Sequence, residues 1–201
     1  MHWRVKKLNY DILVPKLSKH IYELKESEAA AYFEWYIDKL PERIDYVSEV
    51  CAKESGIPKE KMDLTPESLV ILWKWFRRRA KIESVVVEVK DDKTKKFNTR
   101  KRGRQLTLET ECIIREIGMY LGETFRKNNE RIYWTYYTKP KRDFFVNYPL
   151  LKGFIDRTFG QPFEASFEPI HMTRVQAAKI IDKTSKEQDL IDLYNLWNQK
   201  V

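Results

Sequence analysis

Apolar residues recur at helical spacing along several long stretches of the chain and alternate with polar residues in a few short ones. In TPESLVILWKWFRRRAK, the apolar positions from Leu69 to Phe76 follow the i, i+3, i+4, i+7 pattern of an amphipathic helix. Thr65 is a suitable N-cap, and Pro66 suits the first helical position. Because Trp75 extends the apolar stripe to a second face, the pattern predicts a helix packed on two sides.

Two further helical patterns meet at a proline. KESEAAAYFEWYIDKL and PERIDYVSEVCAKESG both place apolar residues at helical spacing, and Pro41 stands between them. Proline is tolerated in the first turn of a helix but kinks a helix interior. The pattern therefore allows two helices that meet at Pro41 or one kinked helix, and Gly56 is a natural C-terminal stop.

The segment LTLETECIIREIGMYLGETFRKNN predicts a long buried helix that begins after Thr107. Gly118 and Gly122 lie four residues apart inside it, and glycine costs about 1 kcal/mol in a helix interior. This spacing indicates close approach of another backbone. Near the C-terminus, LIDLYNLWNQ has the apolar stripe of a final helix that needs a docking surface.

Strand patterns occupy the remaining regular segments. IESVVVEVK is typical of a short strand or an extended arm. Residues 131–147 predict an antiparallel hairpin, with KPKRD as its turn, FFVN as its returning strand and Pro149 ending the pairing. The stretch PFEASFEPI offers a third strand.

Helices and strands are segregated along the chain, which favours an α+β fold with four to six helices on a small antiparallel sheet. We predict one domain over residues 1–201, with a flexible basic insert at about 90–104. No apolar run reaches the roughly 20 residues of a membrane span, and the first 20 residues contain no apolar stretch of signal-peptide length. A cytoplasmic location without membrane contact is expected.

The basic insert carries most of the net charge of +8. Residues 90–104 contain eight Lys or Arg and two Asp, which leaves +2 for the rest of the chain. The segment could neutralise phosphates, or it could be a solvated loop that keeps the protein soluble. The candidate nucleic-acid contacts within residues 93–104 are Lys95, Lys96, Arg100, Lys101, Arg102 and Arg104.

The predicted hairpin is rich in aromatic and basic residues, which anchor many protein interfaces. Trp134 is expected in the core. Tyr133 and Tyr137 lie on the opposite strand face, where packing within the protein on the one hand, and exposure or contact with a partner on the other, are equally favoured. The candidate protein-binding residues are Tyr133, Tyr137, Lys139, Lys141 and Arg142.

Glu123 has two interpretations. It could point into a pocket beside the hairpin as a general acid or base, or it could be a solvated helix residue paired with Arg115 or Lys127. The second interpretation is favoured, because no acid or histidine stands at a matching spacing.

The sequence contains no signature of a catalytic, metal or cofactor site. His2, His20 and His171 are isolated, and neither phosphate-binding glycine motif nor nucleophile elbow occurs. Cys51 and Cys112 fall at apolar helical positions, which indicates buried free thiols and no disulfide. We therefore expect no bound metal and no cofactor, and we favour a non-enzymatic protein over the alternative of an enzyme whose active site is assembled by the fold alone.

The segments REIGMYLGETFRKNNERIYWTYYTKPKR and VNYPLLKGF, with the TPESLVILWKWF and LYNLWNQ helices, resemble an uncharacterised bacterial protein family. The resemblance covers most of residues 28–200 and carries no catalytic residue. The helix-then-sheet layout is also loosely similar to immunity-type proteins of bacterial competition systems. We therefore expect a protein that binds a protein partner, for which the layout suggests an immunity-like role, with accessory nucleic-acid binding through 93–104 as the alternative.

Overall fold

A computed structural model describes residues 10–15, 17–90, 97–158 and 160–201, with the backbone alone described at 87–90 and 97–101. Within these ranges the chain forms five α-helices and five β-strands, so the predicted α+β class is confirmed. The helices are α1 (Glu26–Ser55), α2 (Pro66–Arg79), α3 (Leu108–Asn128), α4 (Pro169–Ile181) and α5 (Asp189–Asn198). The strands are β1 (Ile82–Lys90), β2 (Phe97–Leu106), β3 (Tyr133–Thr135), β4 (Leu150–Asp156) and β5 (Phe163–Phe167).

Helix α1 runs through Pro41 as one helix, which decides between the two alternatives left open by the sequence. Buried side chains before the proline, such as Tyr36 and Leu40, and after it, such as Val47, hold both halves on the same body. The helix ends where Gly56 takes a left-handed conformation with φ 65° and donates its N–H to the carbonyl of Ala52. The predicted stop at Gly56 is confirmed.

Helices α2 and α3 form the centre of the core. The two faces predicted for α2 are both buried, because Leu69, Trp73 and Trp75 are each at most 2% exposed. Helix α3 is closely approached at both interior glycines. A Cβ at Gly118 would lie 2.7 Å from Ile170 Cα, and a Cβ at Gly122 would lie 2.3 Å from the Trp134 ring. The predicted backbone approach is therefore confirmed at Gly118, whereas an aromatic ring fills the space at Gly122.

Strands β3, β4 and β5 form an antiparallel sheet in that order. The predicted third strand is confirmed as β5, but the predicted hairpin over 131–147 is wrong. β3 pairs with β4, beyond Pro149, in the register Trp134↔Leu151, and FFVN belongs to the intervening turns. Asn147 breaks the predicted strand because it has φ 66° and its buried amide donates to the carbonyls of Ile21 and Leu24.

Strands β1 and β2 form a separate two-stranded antiparallel sheet, which we call the β1–β2 ribbon. The predicted flexible insert at about 90–104 falls on this ribbon. Lys90 ends β1 and residues 97–104 lie in β2, so this part is strand and not loop, while residues 91–96 lie outside the described ranges. Backbone pairing from Ile82↔Leu106 to Val89↔Thr99 satisfies the ladder hydrogen bonds whatever the charge of the side chains.

Candidate functional site

A cleft of about 570 Å³ opens between α1, the C-terminal half of α3 and strand β3. Its wall is mainly apolar and aromatic. The lining residues are Phe33, Ile37, Leu40, Pro41, Ile44, Leu64, Glu123, Arg126, Tyr133 and Trp134. Concave apolar surfaces with a few placed polar groups are the usual form of a binding site.

Helix α1 provides one wall because its apolar residues recur every three or four positions from Phe33 to Ile44. Pro41 lies within this wall and removes one backbone N–H donor, although the helix continues through it. Since proline has no N–H, it cannot donate to the carbonyl of Ile37 as a regular helix would require. The cleft therefore combines an apolar wall with a backbone acceptor that lacks its usual helical donor.

The opposite wall is fixed by Glu123 of α3. Its carboxylate accepts from the Arg126 guanidinium at 2.7 and 2.8 Å and from Trp134 Nε1 at 2.6 Å. Lys127 and Arg115, the partners considered from the sequence, instead donate to the carbonyls of Asp63 and Leu13. Because both Glu123 oxygens hold donors, the carboxylate orients the Trp134 ring and is poorly placed to move protons.

The cleft continues along α1 into a more polar depression of about 380 Å³. The two share Pro41, Ile44 and Leu64, and the second adds charged residues such as Asp45, which pairs with Lys59 at 2.6 Å. Together they follow α1 from Phe33 to Ser48, a length of roughly 22 Å at the helical rise per residue. We call this continuous surface the α1 groove.

The five predicted protein-binding residues are divided between different surfaces. Tyr133 is 49% exposed and lines the α1 groove, whereas Tyr137 and Lys139 line a separate, smaller cleft of about 330 Å³. The division arises because residues 136–149 fold back on the start of α1 instead of forming a returning strand.

Three of these residues have internal partners. Tyr137 donates to Asp143 at 2.5 Å, and burial, reinforced by this carboxylate, raises the pKa of the phenol. Lys141 donates to the carbonyl of Leu24 at 3.1 Å, and Lys139 lies 3.3 Å from Glu26. Arg142 is exposed on the same loop.

The nucleic-acid candidates follow strand β2. Lys95 and Lys96 lie outside the described residues, and at Arg100 and Lys101 the backbone alone is described. Arg102 and Arg104 are exposed, and Arg104 donates to the carbonyl of Ile181.

A buried ionic cluster that no sequence pattern predicts joins α1 to α3. Arg43 of α1 and Glu116 of α3 are each 2% exposed, and Arg43 Nε donates to Glu116 at 2.7 Å. The Tyr10 hydroxyl donates to the other Glu116 oxygen, and Arg43 Nη1 donates to Asp11 at 2.9 Å. Burial raises the pKa of Glu116 to about 7, against the hydrogen bonds from Tyr10 and Arg43.

This cluster is structural in its effect, because it joins α1, α3 and the segment around Tyr10 beneath the groove-bearing helix. The pairing itself could not be predicted from spacing, since Arg43 and Glu116 are 73 positions apart. Only the charged residue on an apolar stripe, Glu116 between Ile113 and Ile117, was a local signal.

The described residues contain no group of three His, Cys, Asp or Glu side chains arranged to hold a metal ion. Cys51 and Cys112 are both buried and free, as the sequence predicts, and burial raises the pKa of Cys51 to about 12. In the ranges that the structure covers, no helix has the length and apolar character needed to cross a bilayer.

Comparison with protein-family models, with curated proteins and with solved structures finds no match to this chain. The resemblance to an uncharacterised bacterial family therefore stays a prediction.

Proposed function

We propose that this chain is a non-enzymatic binding protein that holds a helical segment of a partner protein in the α1 groove. The observation that carries the proposal is the continuous apolar wall along α1, with the half-exposed Tyr133 opposite it. Aromatic residues in such positions are frequent anchors of protein interfaces.

The dimensions support a helical occupant. A groove of roughly 22 Å accommodates about 15 helical residues, or four turns. An amphipathic helix in a groove is a recurring recognition mode, in which apolar residues at i, i+3 or i+4, and i+7 enter the groove. The wall of α1 offers apolar residues at the same spacing, from Phe33 through Ile37 to Ile44.

The polar groups of the groove indicate which end of the partner helix is apolar and which end is polar. Its apolar half has one exposed cation, Arg126, whose side chain is 51% exposed beside Glu123. Its other half carries the exposed pair Asp45 and Lys59. We therefore expect a partner helix that is apolar at the end beside Tyr133 and polar at the end that lies over Asp45. The loose layout resemblance to immunity-type proteins agrees with this class of function, and the partner would then be a toxin.

Selection of displayed 16-residue peptides against the full-length protein tests the proposal. We expect the enriched sequences to carry the i, i+3 or i+4, i+7 apolar pattern and to bind the purified protein in calorimetry. Tyr133→Ala should weaken the binding of the selected peptide by roughly tenfold, because it removes the central aromatic contact.

Phe163→Ala is the matched control, because Phe163 on β5 is also 49% exposed but does not line the groove. Tyr137→Ala should likewise leave the affinity unchanged. The proposal fails if the selected peptides show no helical apolar pattern. It also fails if Phe163→Ala weakens peptide binding as much as Tyr133→Ala does, because the α1 groove would then not be the binding surface.

A further inference from the structure

The β1–β2 ribbon separates its charges by strand and by face. β2 carries Arg100, Lys101, Arg102 and Arg104 with no acid, whereas β1 carries two glutamates and Lys90. Alternate residues of a strand share a face, so positions 100, 102 and 104 fall on one face and position 101 on the other. This regular spacing has a structural meaning only because residues 97–106 form a strand and not the loop that their composition predicts.

The strand register shows which residues of β1 share a face with positions 100, 102 and 104 of β2, and we call this face the arginine-bearing face. Positions 100, 102 and 104 stand opposite Glu88, Val86 and Ser84 of β1. Val86 is 63% exposed, and Arg102 and Arg104 are exposed beside it. On the other face Glu83 accepts a hydrogen bond from Gln105 at 2.8 Å, and Val85 stands opposite Gly103. Cationic positions are thus gathered on one side of the ribbon.

The base of the ribbon is fixed to the body. Thr107 donates its N–H to the carbonyl of Lys81 at 3.0 Å, and Lys81 donates its own N–H to Thr110 at 3.0 Å. Leu106 is 6% exposed and belongs to the core, and Arg104 reaches the end of α4 at Ile181. These contacts set the direction in which the ribbon leaves the protein.

We infer that the arginine-bearing face of the β1–β2 ribbon contacts double-stranded nucleic acid. The major groove of a DNA duplex admits a two-stranded β-ribbon, and arginine binds phosphates and guanine edges through a planar set of donors. Eight paired positions, from Ile82 to Val89, span roughly 25–30 Å, long enough to follow several base pairs. The successive arginine positions repeat every two residues, about 7 Å apart along the strand.

An anionic membrane is the less suitable polyanion. Surface-binding segments combine basic residues with several large apolar or aromatic side chains, whereas Val86 is the one apolar residue opposite positions 100, 102 and 104, and Phe97 is the one aromatic residue of the two strands. An acidic protein is also less suitable, because a repeated line of cations fits the repeated charge of a nucleic-acid backbone. Both remain outcomes of the experiment.

The test is fluorescence anisotropy of a labelled 20-base-pair DNA duplex titrated with full-length protein at 50 and 200 mM salt. Binding should be at least tenfold weaker at the higher salt, because each phosphate contact releases counterions. Arg102→Gln should weaken binding at 50 mM salt roughly three- to tenfold and lower the salt slope by about 0.9.

Lys101→Gln is the matched control, because it removes the same charge from the opposite face and should change the affinity less than twofold. Tyr133→Ala should leave duplex binding unchanged, so this test and that of the α1 groove can fail separately. Absence of duplex binding at 50 mM salt overturns the inference. Equal losses of duplex affinity in Arg102→Gln and Lys101→Gln also overturn it. The same holds if the protein binds phosphatidylserine vesicles or polyglutamate but not the duplex.

Discussion

The α1 groove and the β1–β2 ribbon are two candidate binding surfaces built in opposite ways. The walls of the groove belong to packed parts of the protein. Trp134 in one wall packs on Gly122, and the Arg43–Glu116 ion pair joins α1, the other wall, to α3. The ribbon is held by backbone pairing, and side chains such as Val86 and Arg102 stand in solvent. The difference teaches that changes beneath the groove should affect stability, whereas changes to exposed side chains of the ribbon should alter its charge with little effect on stability.

The largest expected effect comes from Arg43→Met. This change leaves Glu116 buried without its cation, so that its side chain must either stay charged in the core or take up a proton, and breaking one side of a buried ion pair costs about 3–5 kcal/mol. We expect a loss of this size in the free energy of unfolding measured by urea denaturation at pH 7. Peptide binding in the α1 groove should fall with it, because α1 loses its buried ionic contact with α3.

The double variant Arg43→Met/Glu116→Leu is the control for that loss. Replacing both charged residues by apolar ones removes the uncompensated charge, so most of the lost stability should return. If the double variant is as unstable as Arg43→Met, the packing of the Arg43 side chain, and not its charge, holds α1 on α3.

Gly122→Ala should have the second largest effect. Alanine normally stabilises a helix interior by about 1 kcal/mol relative to glycine. Here its Cβ would fall 2.3 Å from the Trp134 ring, so the ring must move. We expect a net loss of about 1–3 kcal/mol in urea denaturation, together with a shifted tryptophan emission and weaker peptide binding. A gain in stability with unchanged emission would show that the groove wall is not packed on α3 as described.

Local signals explain which parts of the fold could be predicted. Helices α2 and α3 were found because their apolar period and their starts at Thr65 and Thr107 are contained in the segments themselves. The strand after β3 was misplaced because the choice between FFVN and LLKGFID depends on distant contacts. The amide of Asn147 bonds to carbonyls near residue 21, more than 120 positions away.

The candidate sites show the same limit: individual residues could be found from local signals, but their arrangement depends on distant contacts. For Tyr133 the sequence left exposure open, and the residue is 49% exposed, but the groove that it faces joins α1 and β3 in a way that no local pattern specifies. The arginines of β2 were noticed for their charge, yet their common face depends on recognising 97–106 as a strand. Their basic composition concealed it, because Lys and Arg are not typical strand formers and the pairing is made by the backbone.

The smallest expected effect is that of Arg102→Gln on stability. Among the described residues of the ribbon, only Leu106 belongs to the hydrophobic core, and Arg102 is exposed. Surface substitutions of this kind usually change the free energy of unfolding by less than about 0.5 kcal/mol. Leu106→Ala on the same strand is the comparison, since it removes a buried side chain and should cost about 2 kcal/mol or more. A loss in Arg102→Gln as large as in Leu106→Ala would mean that the ribbon is packed against the body. Its loss of duplex binding could then no longer be assigned to charge.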